Sequence, residues 1–190
     1  MEHDTALISA VIAVLYDAAI DSAKWPTALV SVCEFIGGAQ ATMFWQGAAA
    51  DNVGVFHLYN DDPIYTRLYV EKRAPLNPAF PAVLCQEIGA VHAFSDLVPD
   101  QELQETAFHR EWIAPQGFTD SLAVLLERDA TRMAVLYFPW RGGQIDPAAR
   151  ERLALLVPHI QRAVTIAQLF GQQRAEASLL TETLDHVGEP

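Results

Sequence analysis

Two long apolar runs, separated by a short connection, constrain the fold of this chain more than any other feature. Ser121–Arg128 (SLAVLLER) and Met133–Trp140 (MAVLYFPW) flank a connection that begins Asp129-Ala130-Thr131. Strands joined by so few residues pair antiparallel, as a hairpin. Nearly every side chain in both runs is apolar, which predicts that both strands are central in a sheet and are covered by helices.

The first sixty residues predict two helices and a second hairpin. Apolar spacing indicates helices over 4–20 and 24–36, and Gly37-Gly38 ends the second because glycine readily takes the left-handed conformation that closes a helix. Ala41–Gln46 and Gly54–Tyr59 are typical of strands, and a turn-rich connection joins them. The chain is therefore expected to begin with a pair of helices that leads directly into a pair of strands.

Two Asp-Pro pairs mark the starts of later helices. In Asp62-Pro63 and Asp146-Pro147 the aspartate can cap a helix and the proline suits its first turn. The first of these helices is predicted to end near Arg73. Short helices are predicted near 79–86, 100–107 and 108–114. The second, long helix carries an apolar seam at alternating spacings of three and four, which includes Leu156, Ile160, Ala163 and Ala167.

The order of these elements predicts an α+β fold in which helices flank a central antiparallel sheet and pack on one of its faces. Two hairpins separated by a helical insertion, with long helices at the N- and C-terminal ends, resemble a GAF- or PAS-like sensor module. We expect residues 1–170 to form this sensory domain, N-terminal helices included, and 171–190 to form a helical linker.

Charge argues against nucleic-acid and membrane-surface binding. The chain has 12 basic and 24 acidic residues, a formal net charge of −12, whereas phosphate backbones and anionic lipids require a basic face. The N-terminus Met1-Glu2-His3-Asp4 is acidic where a signal peptide is basic, and the apolar run Ala6–Ala19 is too short to span a bilayer. We expect a soluble, cytoplasmic protein that does not bind DNA by itself.

The residues that usually carry catalysis or hold metals are not grouped in this sequence. The six histidines do not pair at the i, i+4 spacing of a helical zinc site, and neither cysteine is placed to join them. Cys33 lies on the apolar stripe of a predicted helix, and Cys85 lies beside a helix end. A nucleophilic cysteine needs a neighbouring general base, and the sequence indicates none for either residue. Asp61 and Asp62 are interpreted as caps at a helix start. We expect no enzyme, no metal site and no cofactor.

Aromatic residues predict the walls of a binding pocket between the sheet and the middle helices. On a helix, Phe108 and Trp112 share a face. They would either anchor that helix on the sheet or line a ligand site, and both interpretations stay open. Walls near the sheet would come from Trp45, Phe56, Tyr59, Tyr65, Tyr69, Phe80, Phe94 and Trp112. Of these, the candidate ligand-binding residues are Trp45, Phe56, Tyr59, Tyr65, Tyr69 and Trp112.

Four strings of the sequence, taken in their order and spacing, resemble the N-terminal regions of bacterial helix-turn-helix regulators of the LuxR type. They sample most of residues 15–163: LYDAA (15–19) followed by Trp25-Pro26, DLVP (96–99), FHREW (108–112) leading to Pro115-Gln116-Gly117 and Asp120, and LVPHIQRA (156–163). In that family a sensory region precedes a DNA-binding domain, which here would follow residue 190. The resemblance implies the sensory part of a longer regulator, with DNA as a partner of the full-length protein.

The resemblance also implies how such a domain works. It would bind a small molecule or a protein partner and relay the event through its terminal helices, which requires the ligand to prefer one helix arrangement. A homodimer is expected, since paired DNA half-sites are read by two copies. The seam Leu156, Ile160, Ala163 and Ala167 is the candidate interface, with or without the helix over 4–20.

Three alternatives remain open at this point. The seam could instead cover the sheet of its own chain. The pocket could belong to a small-molecule enzyme, or the chain could be a dimerisation module that has no ligand.

Overall fold

The computed structural model of the chain describes the backbone of residues 2–47, 53–130 and 132–187. Side chains within these ranges are described at 5–45, 54, 57–83, 85–130, 133–171 and 173. Across these residues, five strands form one antiparallel sheet in the order β2-β1-β5-β4-β3. The strands are β1 Ala41–Gly47, β2 Val53–Tyr59, β3 Val91–Ala93, β4 Phe118–Arg128 and β5 Arg132–Arg141.

Helices cover both faces of this sheet. In chain order they are α1 Glu2–Ile20, α2 Trp25–Ile36, α3 Pro63–Leu68, α4 Phe80–Leu84, α5 Phe94–Leu97, α6 Asp100–Gln104 and α7 Pro147–Val187. The α+β class, the antiparallel sheet and the long terminal helices are confirmed. The structure differs from the prediction of helices on one face, because the short middle helices pack on the second face. It also adds β3, which is only three residues long.

Local sequence explains where several of these helices begin and end. Gly37 closes α2 with φ +83°, and its N–H donates to the carbonyls of Cys33 and Glu34. Asp62 caps α3, since its carboxylate accepts from the backbone N–H of Ile64 at 2.9 Å. The expected cap role of Asp62 is therefore seen directly.

Strand alternation divides the interior into two cores. In β5, Leu136 and Phe138 are buried against α1, α2 and α7, while Val135 and Tyr137 face the middle helices. The neighbouring strand β4 alternates in the same way. Both strands are apolar along their length because both of their faces are covered.

The seam of α7 is part of the first of these cores. Leu156, Ile160 and Ala163 are fully buried there, and Ala167 packs against the same core. These four residues cover the chain's own sheet, so they are not a surface on which a second copy could dock. The predicted dimer interface at this seam is corrected accordingly. The apolar side chains on this face of the sheet must be shielded from water, and the seam of α7 packs against them.

The helix α7 is also long and apolar. Among the described residues, its segment Pro147–Gly171 is the one helix with the length and hydropathy to cross a membrane. A core helix of a folded domain passes the same test, and the buried stripe that includes Leu153 and Ile160 marks α7 as such a helix. The backbone continues through Gly171 to Val187 as one helix. The division into 1–170 and 171–190 stays a prediction.

We expect the neighbours Leu155 and Leu156 to respond very differently to truncation. Leu156→Ala removes a side chain that is 0% exposed and should lower the free energy of unfolding by about 2–5 kcal/mol. Leu155 is 59% exposed, so Leu155→Ala should change that free energy by less than about 0.5 kcal/mol. Urea denaturation at low protein concentration measures both. Equal losses in the two variants would contradict the placement of α7.

Candidate ligand-binding cavity

A cavity of about 50 Å³ lies between the second face of the sheet and the middle helices. The strands contribute Thr42 and Phe44 from β1 and Tyr137 from β5. Further lining comes from the residue before β1, from the helices and turns of the middle layer and from the segments that join them. These residues are Gln40, Asp61, Thr66, Tyr69, Asn77, Phe94, Phe108 and Trp112. The cavity therefore has one aromatic side and one polar side.

Two widened helical turns carry the aromatic side chains Tyr69 and Trp112. Tyr69–Arg73 and His109–Ile113 are π-helical, and each is followed by a 3₁₀ turn that starts Ala-Pro. A proline has no N–H and its ring collides with the carbonyl four residues earlier, so an ordinary helix cannot continue through it. The i→i−5 bonds accommodate this conflict, and π turns occur frequently at functional sites.

The two π turns are tied to each other and to the wall of the cavity. The guanidinium of Arg73 forms an ion pair with the carboxylate of Glu111, which joins one turn to the other. The indole Nε1–H of Trp112 donates to the carbonyl of Tyr65 at 3.0 Å. Asn77 Nδ2 donates to the Tyr69 hydroxyl at 3.2 Å. These bonds fix both aromatic rings over the cavity.

The aromatic wall is a cluster of three rings that contact one another. Phe108 and Trp112 stack with ring centroids 5.1 Å apart, and the tilted ring of Tyr69 lies 5.1 Å from Trp112 and 6.2 Å from Phe108. Phe108 and Trp112 thus anchor their segment and line the cavity together, so the two interpretations of this pair are compatible. Burial raises the pKa of Tyr69 to about 12, against the opposing effect of the Asn77 hydrogen bond, so its hydroxyl stays protonated.

The polar side is built around the carboxylate of Asp61. Gln40 Nε2 donates to Asp61 Oδ1 at 2.5 Å, and Thr66 Oγ1 donates to Asp61 Oδ2. Burial raises the pKa of Asp61 to about 6, and the neighbouring charge of Asp62 adds to the effect, while the Gln40 hydrogen bond opposes it. Asp61 is therefore a partly buried carboxylate that is ionised at neutral pH but is easier to protonate than an exposed one.

A surface groove of about 560 Å³ adjoins this polar side. Asp61 and Thr66 line both the groove and the cavity. The outer walls of the groove are Leu58, Asn60, Pro63, Arg67, Val70 and Glu71. The Asp61–Thr66 hydrogen bond therefore stands between solvent and the buried space.

Smaller voids continue the cavity on its aromatic side. One of about 40 Å³ shares Phe44, Tyr69 and Phe94 with it, and another of about 20 Å³ shares Phe94 and Tyr137. The space under the middle helices is therefore divided among three adjoining voids.

The structure divides the sequence-predicted ligand residues among different surroundings. Tyr69 and Trp112 line the cavity, and Tyr65 packs against the aromatic cluster beside it. Trp45 follows Phe44 in β1 and so points to the opposite face of the sheet, where its indole lies over Gly54. Tyr59 packs in the core under α1, α2 and α7. Trp45 and Tyr59 are thus removed from the cavity, and the Phe56 side chain lies outside the described residues.

The polar residues of the cavity were not singled out from the sequence for binding. Asp61 was grouped with Asp62 as a cap, yet Asp62 alone caps α3. Gln40 and Thr42 carry no pattern that distinguishes them from surface residues. The two Ala-Pro pairs after aromatic helices were the one available sequence clue, since a proline there predicts an irregular turn at Tyr69 and Trp112.

Groups that could carry catalysis or metal binding are sparse in the described part of the chain. There, no three His, Cys, Asp or Glu side chains are grouped as a metal would require. Cys33 is buried, and this desolvation, with the charge of Glu34 second, raises its thiol pKa to about 12. A thiol so protonated is a poor nucleophile.

We expect Asp61→Asn to stabilise the protein in a pH-dependent way. The folded pKa of Asp61 is about 6, above its ordinary 3.8, so its contribution to stability is present below 3.8 and is lost as pH rises through 6. Asparagine keeps the shape without the charge. The free energy of unfolding of the variant minus that of wild type should be larger at pH 8 than at pH 4.5. The increase should be up to about 1 kcal/mol, a value reduced for the partial exposure of Asp61. Urea denaturation at both pH values measures this, and a difference that does not change with pH would contradict it.

Comparison with known proteins relates the fold to solved structures. No family model and no curated protein sequence matches the chain. The ligand-binding domain of VqsR from Pseudomonas aeruginosa aligns with a TM-score of 0.71 and 14% identity, over 85% of this chain and 96% of that one. CepR2 of Burkholderia cenocepacia, described as an N-acylhomoserine lactone dependent LuxR family transcription factor, aligns at 0.64 and 15%, over 88% and 96%.

A GAF domain also aligns over most of its length. The phycoerythrobilin-bound GAF domain of a cyanobacterial phytochrome gives a TM-score of 0.58 at 10% identity, over 88% of this chain and 97% of that one. At such low identities the likeness concerns the fold, and at that level the resemblance stated from the sequence is confirmed. The chain has the GAF-like fold of the N-terminal, ligand-binding domains of LuxR-type regulators.

Proposed function

We propose that this chain is the signal-sensing domain of a LuxR-type transcriptional regulator and that it binds a small molecule in the cavity under the middle helices. The observation that carries the proposal is the aromatic cavity with one polar side, placed between the sheet and an irregular helical layer. The structurally similar domains support it, because one is named as lactone dependent and another holds a bilin. The proposal places the regulator in the cytoplasm, and DNA is a partner of the full-length protein.

Ligand entry requires the middle layer to move. A space of about 50 Å³ holds a few water molecules, whereas bound organic ligands occupy several hundred Å³. The layer over the cavity consists of short helices, two π turns and two 3₁₀ turns, and such segments open at lower cost than long helices. A ligand that prefers the opened arrangement would shift the population toward it.

The sheet offers a direct route from the cavity to the terminal helices. Tyr137 lines the cavity, and its neighbours Leu136 and Phe138 on β5 are fully buried on the opposite face, in the core that α7 covers. On that side, the hydroxyl of Tyr16 in α1 lies 3.3 Å from Nδ1 of His159 in α7. A ligand that displaces β5 would therefore also displace α1 and α7, which pack on its other face.

Dimerisation belongs to the proposal, through a different stripe of α7 from the predicted seam. Leu155, Leu169 and Phe170 are exposed apolar side chains of this helix, and Ile20 is exposed at the end of α1. A second copy would cover them, which suits a regulator that reads paired half-sites.

The alternative functions have less support. For a small-molecule enzyme, the polar side of the cavity offers Asp61 as a base, but the described lining residues include no lysine, arginine or histidine to stabilise developing negative charge. A ligandless dimerisation module would be expected to have a filled core, and the cavity argues against that. We therefore propose binding and not catalysis.

Filling the cavity should abolish binding without harming the fold. Thr42 lines the cavity from β1, so Thr42→Leu places a larger apolar side chain in it and should leave stability unchanged or raised. Thr42→Ser is the matched control, since it keeps the space open. Binding of benzyl alcohol and ethylbenzene is measured by calorimetry. We expect loss of binding in Thr42→Leu and retention in Thr42→Ser. Equal binding to both variants would contradict the proposed site.

The dimer should depend on the outer stripe of α7. Replacing Leu155 and Leu169 together by Glu puts charge on this stripe and leaves the buried seam intact. Sedimentation velocity should show a dimer for wild type and a monomer for this double variant. The control is Ile88→Glu, which alters an exposed apolar residue elsewhere. A wild-type chain that stays monomeric at high concentration, or a double variant that still dimerises, would count against this interface.

A further inference from the structure

The polar side of the cavity holds one buried acceptor that no described residue satisfies. Gln40 is 2% exposed and lines the cavity, and its Oε1 has no hydrogen-bond partner among the described residues. Its Nε2 donates to Asp61, and an ionised carboxylate only accepts hydrogen bonds. This partner fixes the amide orientation, so the unsatisfied atom is the oxygen and not the nitrogen.

The missing group is therefore a donor. Buried polar atoms in folded proteins are nearly always hydrogen-bonded, and those that are not require an explanation. Thr66 is already engaged, since its hydroxyl donates to the other oxygen of Asp61. An N–H or O–H group brought by a ligand would satisfy Gln40 and would lie next to the Asp61 carboxylate.

The charges around the cavity exclude one class of ligand. Asp61 lines the cavity and the negative charge of Asp62 acts on it, whereas no described lining residue is basic. The nearest cation in the outer groove, Arg67, shares that groove with Glu71. An anionic ligand would lose its hydration and meet like charge, while a neutral or cationic ligand would not.

The remaining lining residues determine which chemical groups the rest of the ligand can have. Phe44, Phe108 and Trp112 present apolar rings, which suit an aromatic or aliphatic group and also tolerate a nearby cation. The adjoining groove provides a route past Asp61 and Thr66. On this route, an entering molecule would pass the Asp61–Thr66 hydrogen bond before its donor reaches Gln40.

We propose that the cavity selects small alcohols and amines, neutral or cationic molecules with one N–H or O–H donor on an apolar body, and that Gln40 and Asp61 recognise the donor. This inference rests on the proposed function and names the ligand class of the same site. It makes Gln40 a specificity determinant, because that residue distinguishes a donor from an apolar group of the same size.

Four matched probes test this on the whole chain by calorimetry: benzyl alcohol, benzylamine, ethylbenzene and benzoate. They share a ring and differ in the group attached to it. We expect benzyl alcohol and benzylamine to bind at least about tenfold more tightly than ethylbenzene, a difference typical of one satisfied buried hydrogen bond. Benzoate should bind most weakly.

Variants assign the preference to its residues. Gln40→Met keeps the length and removes the acceptor, so benzyl alcohol should fall to the affinity of ethylbenzene while ethylbenzene itself changes less than about twofold. Asp61→Asn should remove the advantage of benzylamine over benzoate. The control is Asp62→Asn, which makes the same charge change one residue away and keeps an N-cap residue, and it should retain the preference for benzyl alcohol. Circular dichroism verifies folding, and Asp61→Asn carries the test if Gln40→Met does not fold.

The outcomes separate this inference from the proposed function. Equal binding of benzyl alcohol and ethylbenzene, abolished by Thr42→Leu, would overturn the ligand class and leave the cavity as the site. Tighter binding of benzoate, or an unchanged preference in Gln40→Met, would also overturn it. Failure of all four probes to bind would count against the proposed function as well.

Discussion

The hairpin of β4 and β5 is the element on which the rest of the structure depends. Both of its faces are buried, so it is the shared wall of two cores that would otherwise be independent. One face supports α1, α2 and α7, and the other forms the floor of the cavity through Tyr137. Because packed side chains transmit displacement, a change on one face of this wall is felt on the other. This shared wall supports the proposed sensing function.

The two faces differ in the regularity of what covers them. The long helices form a continuous, well-packed layer, whereas the middle layer is interrupted by prolines and widened into π turns. A layer with fewer regular backbone hydrogen bonds has a lower cost of local opening. The cavity lies under this layer, and on its polar side Gln40 Oε1 has no hydrogen-bond partner among the described residues. The irregular helical layer and the unpaired acceptor of Gln40 therefore lie at the same site.

The sequence predicted the elements better than it predicted the site. Hairpins, Asp-Pro helix starts and long helices are predictable because each depends on a local sequence pattern. The strand β3 is not, because three residues are too few to show an alternation of apolar and polar side chains. Strand alternation could have shown that Trp45 and Phe44 face opposite sides, but which side holds a cavity depends on distant helices. Gln40 and Asp61 come together across 21 residues through the β1–β2 hairpin, and no local pattern indicates that contact.

The response of the tryptophan indole resonances to a ligand shows most directly whether the cavity is the binding site. The chain has four tryptophans, and Trp112 alone lines the cavity, with its Nε1–H bonded to Tyr65. Trp25 and Trp140 lie in the opposite core, and Trp45 points to that face of the sheet. In a nitrogen-15 NMR titration with benzyl alcohol, we expect a saturable shift of the Trp112 indole signal and smaller shifts of the other three. A saturable shift of Trp25 or Trp140 with Trp112 unchanged would contradict this expectation.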